Sequence, residues 1–175
     1  IGMDSGEAGF YITLLSVVSV PSMILGGKLA DTLGRKFIII VSQSLGGFTI
    51  IAGGFLEPSM TLAYLLMISS LFFSLCSPAY DALLADLTTP ENRKGAYSLT
   101  YMGWNLGFAV GPIIAGLLYK NHLNIIFICD GIATLLATSL ILVFIKETKR
   151  DQVSAIDEPG RQLEQHVEGS VFKVL

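Results

Sequence analysis

Five long stretches without an acidic or basic side chain constrain this chain more than any other feature. Four are unbroken, from Ala8 to Gly27, Phe37 to Leu56, Pro58 to Tyr80 and Ala96 to Tyr119; a fifth, from Asn121 to Ile145, is interrupted only by Asp130. Each is about 20 residues or longer, and about 20 helical residues rise far enough to cross a hydrocarbon core about 30 Å thick. Buried helices in a soluble protein would need an amphipathic layer to cover them, and the short polar turns between these runs leave none. Charged residues make up 14% of the chain, against about 25% in ordinary soluble domains. The apolar share of 52% and the presence of only two cysteines exclude a disordered chain and a disulfide scaffold. A net charge of -3 offers no basic field for nucleic acid.

Helix is the state these runs require, because backbone in lipid must satisfy its own hydrogen bonds and the runs are too continuously apolar for alternating barrel strands. The expectation is an all-α membrane protein, a polytopic helical bundle with spans near residues 8–30, 37–56, 60–85, 95–119 and 123–145, all within residues 1–147. Pro21, Pro78 and Pro112 inside the spans are kinks that neighbouring helices absorb. Residues 148–175, with Pro159, Gly160 and charges of both signs, read as a cytoplasmic linker.

Orientation follows from the basic residues. Arg35, Lys36, Arg93 and Lys94 occupy the turns after the first and third spans, and Lys146, Lys149, Arg150, Arg161 and Lys173 follow the fifth. The opposite side holds Lys120 alone. The basic side faces the cytoplasm. The first span then enters from outside, which predicts a further span before Ile1. No charged stretch followed by a cleavage site marks a signal peptide at this end.

The turn after the first span reads Gly26-Gly27-Lys28-Leu29-Ala30-Asp31-Thr32-Leu33-Gly34-Arg35-Lys36. Gly27 is expected to let two helices approach closely and Gly34 to permit the reversal. By physics alone this is a charged turn anchoring helix ends. The string closely resembles the signature loop of the major facilitator superfamily, Gly-x-Leu-Ala-Asp-Arg-x-Gly-Arg-Lys. Gly27, Leu29, Ala30, Asp31, Gly34, Arg35 and Lys36 match in register, and Thr32 stands where a basic residue is usual. The resemblance implies a partial major facilitator fold in which these spans are helices two to six. Helix one and the second half of the transporter are then its expected partners, beside the lipid bilayer.

A second string, Asp86-Leu87-Thr88-Thr89-Pro90-Glu91-Asn92-Arg93-Lys94-Gly95, resembles the loop between helices four and five of the same superfamily. Read physically, Thr89 suits a helix N-cap, Pro90 the first turn, and Glu91 the positive end of the helix dipole. The resemblance implies a switch cluster in which Asp86 pairs with Arg35 and Asp31 faces a helix of the absent half, with Lys36 and Arg93 nearby. The cluster would latch the cytoplasmic side when the transporter opens outward.

In the fourth span Gly103, Gly107, Gly111 and Ala115 recur every four residues, with Pro112 beside the third and Gly116 closing the run. Interior glycines cost about 1 kcal/mol each against alanine, so their presence points to close helix contact. The stretch Gly107 to Gly116 also resembles the helix-five motif Gly-x-x-x-Gly-Pro-x-x-Gly-Gly of the drug:proton antiporter branches, with Ala115 replacing one glycine. That resemblance implies efflux of amphipathic small molecules in exchange for protons, in a bacterial plasma membrane. A proton-coupled importer of sugars or peptides is the alternative, although Ile145-Lys146-Glu147-Thr148 lacks the Pro-Glu-Ser-Pro-Arg string of sugar porters. An inactive truncated fragment is another.

Trp104, with Asn105 beside it, falls near the middle of the fourth span, about 14 Å along the helix. Both either line a central cavity or pack against a neighbour. Asp130 lies well inside the last span and Asp81 about 7 Å from the cytoplasmic end of the third. A carboxylate at the bilayer centre costs about 2.5 to 3.5 kcal/mol on insertion scales, which favours proton binding or cation recognition. Asp81 solvated from the cytoplasm, and Asp130 paired with another helix, are the competing readings. Many drug antiporters carry an arginine in helix four, and none occurs between Thr61 and Tyr80. His122 and His166 stand apart, without metal-ligand spacing, and there is no Walker loop. No cofactor, metal or enzymatic triad is expected.

Overall fold

The computed structural model describes residues 4–119 and 122–147. The expected linker at 148–175, and Lys120, lie outside the described residues. Five helices follow one another: α1 (Ser5–Leu33), α2 (Arg35–Gly53), α3 (Met60–Asp86), α4 (Pro90–Leu118) and α5 (Leu123–Phe144). All five are long and apolar enough to cross a membrane, and there is no strand among the described residues.

The helices run past the apolar runs where polar residues cap them. α1 starts at Ser5 because Asp4 Oδ1 accepts a hydrogen bond from the Glu7 N–H at 2.7 Å while the Asp4 N–H donates to Glu7 Oε2 at 3.1 Å. α4 starts at Pro90, where the Thr89 N–H donates to Asn92 Oδ1 at 2.8 Å. α2 stops at Gly53, short of Leu56, as the chain tightens into turns with Phe55 N–H on the Ala52 carbonyl and Leu56 N–H on the Gly53 carbonyl. With 29 residues each, α1 and α4 are about 43 Å long, so their ends extend beyond the hydrocarbon core or the helices tilt.

α2 is the centre of the bundle, packed against α3 on one side and α5 on the other, and α1 lies against α3. The core between them comprises Ala30, Ile38, Ile39, Cys76, Ala79 and Leu83, with Ile141 of α5 and Ile145 just beyond that helix packed against it. It sits toward the end of the bundle that carries Arg35 and Asp86.

Close approach is set by small residues. A Cβ on Gly26 would fall on the Leu75 carbonyl of α3, so this residue makes the α1–α3 crossing. Gly27, the residue expected to do so, is less crowded: its Cβ would meet Pro78 Cβ at 3.8 Å, an ordinary contact. The side chain lost at Gly26 is what lets backbone meet backbone. On the other side of α2, Gly131 of α5 lies against Ile51 and the Gly47 carbonyl. Side-chain hydrogen bonds join the same helices: Tyr11 donates to the Ala63 carbonyl at 2.6 Å and Thr138 to Gln43 Oε1 at 2.8 Å.

α4 differs. None of its residues is buried, and its main contacts, with α3 and α5, are sparse.

Candidate functional site

Two places gather the polar residues of an otherwise apolar bundle. The first is the corner between α1 and α2. A single residue, Gly34, separates the helices, at φ +107° in the region where side chains are strained. Two charged residues on its far side then reach two different helix ends. Arg35 forms an ion pair with Asp86 and donates from Nη1 to the Ala82 carbonyl at 3.2 Å, tying α2 to the end of α3. Its side chain is 12% exposed and that of Asp86 8%. A pair this enclosed is strongly coupled, because removing either partner leaves the other charge without compensation.

Lys36 turns to α5 instead, donating from Nζ to the Leu142 carbonyl at 2.7 Å. Glu147, just beyond α5, returns the contact. Its two carboxylate oxygens accept from the Lys36 N–H at 3.0 Å and the Phe37 N–H at 2.9 Å. Gly34 has no side chain to cap α2, so a carboxylate more than a hundred residues away in sequence does it. That placement also satisfies the helix dipole. Gly34 is thus constrained twice, since a Cβ there would meet the Glu147 carboxylate at 2.7 Å. Glu147 was no sequence candidate: a cap supplied from a distant helix leaves no local pattern.

Arg93 is brought to the same end of the bundle but serves another junction. It folds back on α3, donating from Nη2 to the Ala85 and Thr88 carbonyls, both at 3.2 Å, where the negative end of the helix dipole lies. Asp31 lies on the last turn of α1, three residues before Gly34.

The second place is a cavity of about 1030 Å³ bounded by all five helices. Asp81, Trp104 and Asp130, from α3, α4 and α5, line it together. Asn105 does not; its Nδ2 donates to the Tyr101 carbonyl at 2.7 Å, one turn back along α4. The two neighbours considered together in the sequence are therefore separated by the helix turn. Phe73 and Tyr80 add aromatic wall to the cavity, and Gln43 reaches it from α2 with its carbonyl oxygen held by Thr138. Sequence reasoning passed over Gln43, although a carboxamide inside an apolar span carries the same signal as an intramembrane charge.

The α4 residues Gly107, Gly111, Pro112 and Gly116 lie on neither site. Gly103, Gly107, Gly111 and Gly116 have no atom of another element within 4 Å of where a Cβ would stand, among the described residues.

The cavity is large enough for a drug-sized ligand, and its wall combines apolar and aromatic side chains with serines, Gln43, Thr100 and the two aspartates. No group of three or more metal-ligating side chains occurs among the described residues.

Comparison with known proteins agrees with this architecture. A family model described as Major Facilitator Superfamily matches residues 1–174. The MFS-type transporter YqjV of Bacillus subtilis, itself described as uncharacterized, is 30% identical over 115 residues, covering 65% of this chain and 28% of that protein. The Na(+), Li(+), K(+)/H(+) antiporter of Planococcus maritimus is 23% identical over 85% of this chain and 36% of its own length. The quinolone resistance protein NorA of Staphylococcus aureus is 25% identical over 98% of this chain and 44% of its own length. The chain spans less than half the length of each of these relatives.

Proposed function

This chain belongs to the major facilitator superfamily, a family of membrane transporters, and we propose that it contributes five helices to a bacterial plasma-membrane transporter that expels amphipathic small molecules in exchange for protons. The carrying observation is the cavity, in which Trp104, Phe73 and Tyr80 supply aromatic wall and Asp81 and Asp130 are the charged residues. Aromatic faces and a carboxylate suit an organic cation. The names of two relatives, a quinolone resistance protein and a cation/proton antiporter, support efflux and proton exchange respectively.

Coupling follows from the cost of charge in a low-dielectric cavity. A carboxylate such as Asp130 is costly when it is ionised and alone, and either a proton or an organic cation neutralises it. Both cannot occupy it at once, so arrival of one favours departure of the other. Alternating access requires a latch on the cytoplasmic side. The Arg35–Asp86 pair, with Asp31, Lys36 and Arg93 close by, takes that role in this reading, holding α2 to α3 while the site opens outward. Gly107 and Gly111, one turn apart, then lie on the face that α4 presents to the second half of the transporter, with Pro112 and Gly116 round the helix from them.

The test uses the complete transporter in inverted vesicles, following a lipophilic cationic dye under an imposed proton gradient. Accumulation that an uncoupler abolishes, and that Asp130→Asn removes, is the expected result. Proton-independent accumulation in folded protein would overturn the exchange mechanism.

A further inference from the structure

The cavity wall supplied by α3 includes a row of hydroxyls. Ser70, Ser74, Ser77 and Asp81 all line the cavity, and their spacings of four, three and four residues put them on one helix face. We propose that this row holds a file of water molecules along which protons pass between Asp130 and Asp81, and then to the basic end of the bundle. The proposal rests on the proton exchange set out above and names its route.

Geometry supports it in three ways. Neighbours three or four residues apart on a helix have Cβ atoms about 5 to 6 Å apart, and one water bonded to two hydroxyls spans about 5.5 Å. One water per gap therefore closes the row without displacing the helix. Asp130 lies about 10 Å along α5 from its outer end, Ser70 about 15 Å along α3 from the same side, and Asp81 about 16 Å beyond Ser70. The row thus spans the depths between two carboxylates that line the same cavity.

The hydroxyls are also available. Thr13, Ser16, Ser22, Thr49 and Thr100 each donate to the carbonyl four residues back. Ser70, Ser74 and Ser77 donate to no protein acceptor among the described residues. Third, Pro78 sits inside α3 and has no N–H, so the Ser74 carbonyl lacks its helical donor. Backbone at this depth needs another partner, and water in the cavity is one.

The remaining titratable groups of the cavity wall are Cys76 and Tyr80, on α3 itself; Met23, Gln43, Thr100 and Trp104, from α1, α2 and α4, carry no charge. Each transfer breaks one O–H bond and forms another. Protonated Asp130 gives its proton to the adjacent water, each water passes one on, and Asp81 receives one. The net change is one proton moved and no electron transferred.

Ser74→Ala/Ser77→Ala in the complete transporter, reconstituted in proteoliposomes with ethidium as the probe, tests the route. Ser74 and Ser77 also line the cavity that takes ethidium, so each variant is read as the ratio of gradient-driven transport to counterflow without a gradient, which needs no relay. That ratio should fall about tenfold in the alanine variant, the effect of losing roughly one hydrogen bond in the limiting step. Ser74→Thr/Ser77→Thr, which keeps both hydroxyls, should restore driven transport. Driven transport unchanged in the alanine variant would overturn the proposal while leaving proton exchange intact. Equal loss of both activities, without recovery in the threonine variant, would make the serines packing residues and overturn it too. A wild type that exchanges ethidium but ignores the gradient would bring down the exchange mechanism and the route together.

Discussion

Two sets of glycines in this bundle look alike in sequence and behave in opposite ways. Gly26 and Gly131 sit where helices touch, and a Cβ on either would collide with a neighbouring backbone or side chain. Gly103, Gly107, Gly111 and Gly116 follow one another at intervals of four, four and five residues along α4, yet no other element approaches them among the described residues. Both sets lower helix propensity by a similar amount. Only the first is compensated by contact within the described chain. A small-residue stripe therefore identifies a face built for close approach without saying what approaches it.

The largest effect should come from the packed side, where Arg35 meets Asp86. Asp86→Ala leaves the Arg35 guanidinium enclosed and unpaired, a loss of about 3 to 5 kcal/mol, whereas Arg93→Ala, at the loosely held α3–α4 junction, should cost under about 1 kcal/mol. Denaturant titration of each variant in detergent micelles checks the difference; equal losses would remove the distinction between the two junctions. Next is Gly26→Val, which must push α1 from α3 and should cost about 3 kcal/mol. Gly107→Val, in open space, should leave the thermal unfolding of the chain nearly unchanged.

Glu147→Ala should cost about 1 to 2 kcal/mol as a lost helix cap. Its mark is local: hydrogen exchange of the Lys36 and Phe37 amides should accelerate while those in the middle of α3 stay protected. The smallest effect reverses sign. Gly107→Ala should stabilise this chain by up to about 1 kcal/mol through helix propensity, and the same change in the complete transporter should destabilise it if α4 packs there against the second half. A stabilising effect in both settings would leave the α4 stripe without a packing role.

Much of this was legible before any coordinates. Five spans follow from hydropathy because a bilayer imposes a length and forbids unsatisfied backbone, constraints that act on each segment alone. The Gly34 corner was equally readable, since a positive φ is a local demand. The pairing of Arg35 with Asp86 was legible only through family resemblance; nothing in either segment specifies the other. Trp104 and Asp130 were singled out as intramembrane residues, and their meeting with Asp81 around one cavity is a matter of how α3, α4 and α5 are set in space.

What escaped notice shares one cause. Gly26 rather than Gly27 makes the α1–α3 crossing because rotation of α1 about its axis decides which of two adjacent glycines faces Leu75, and a helix without a strong polar face does not encode that rotation. Glu147 caps α2 only because α5 ends beside its first turn. The hydroxyl row of Ser70, Ser74 and Ser77 was written in α3 at helical spacing, yet it becomes a wall only when the neighbouring helices leave a cavity in front of it. Hydropathy, capping and backbone conformation are properties of short segments, and the chain carries them in order. Which faces meet is a property of the whole bundle, settled by packing between segments distant in sequence.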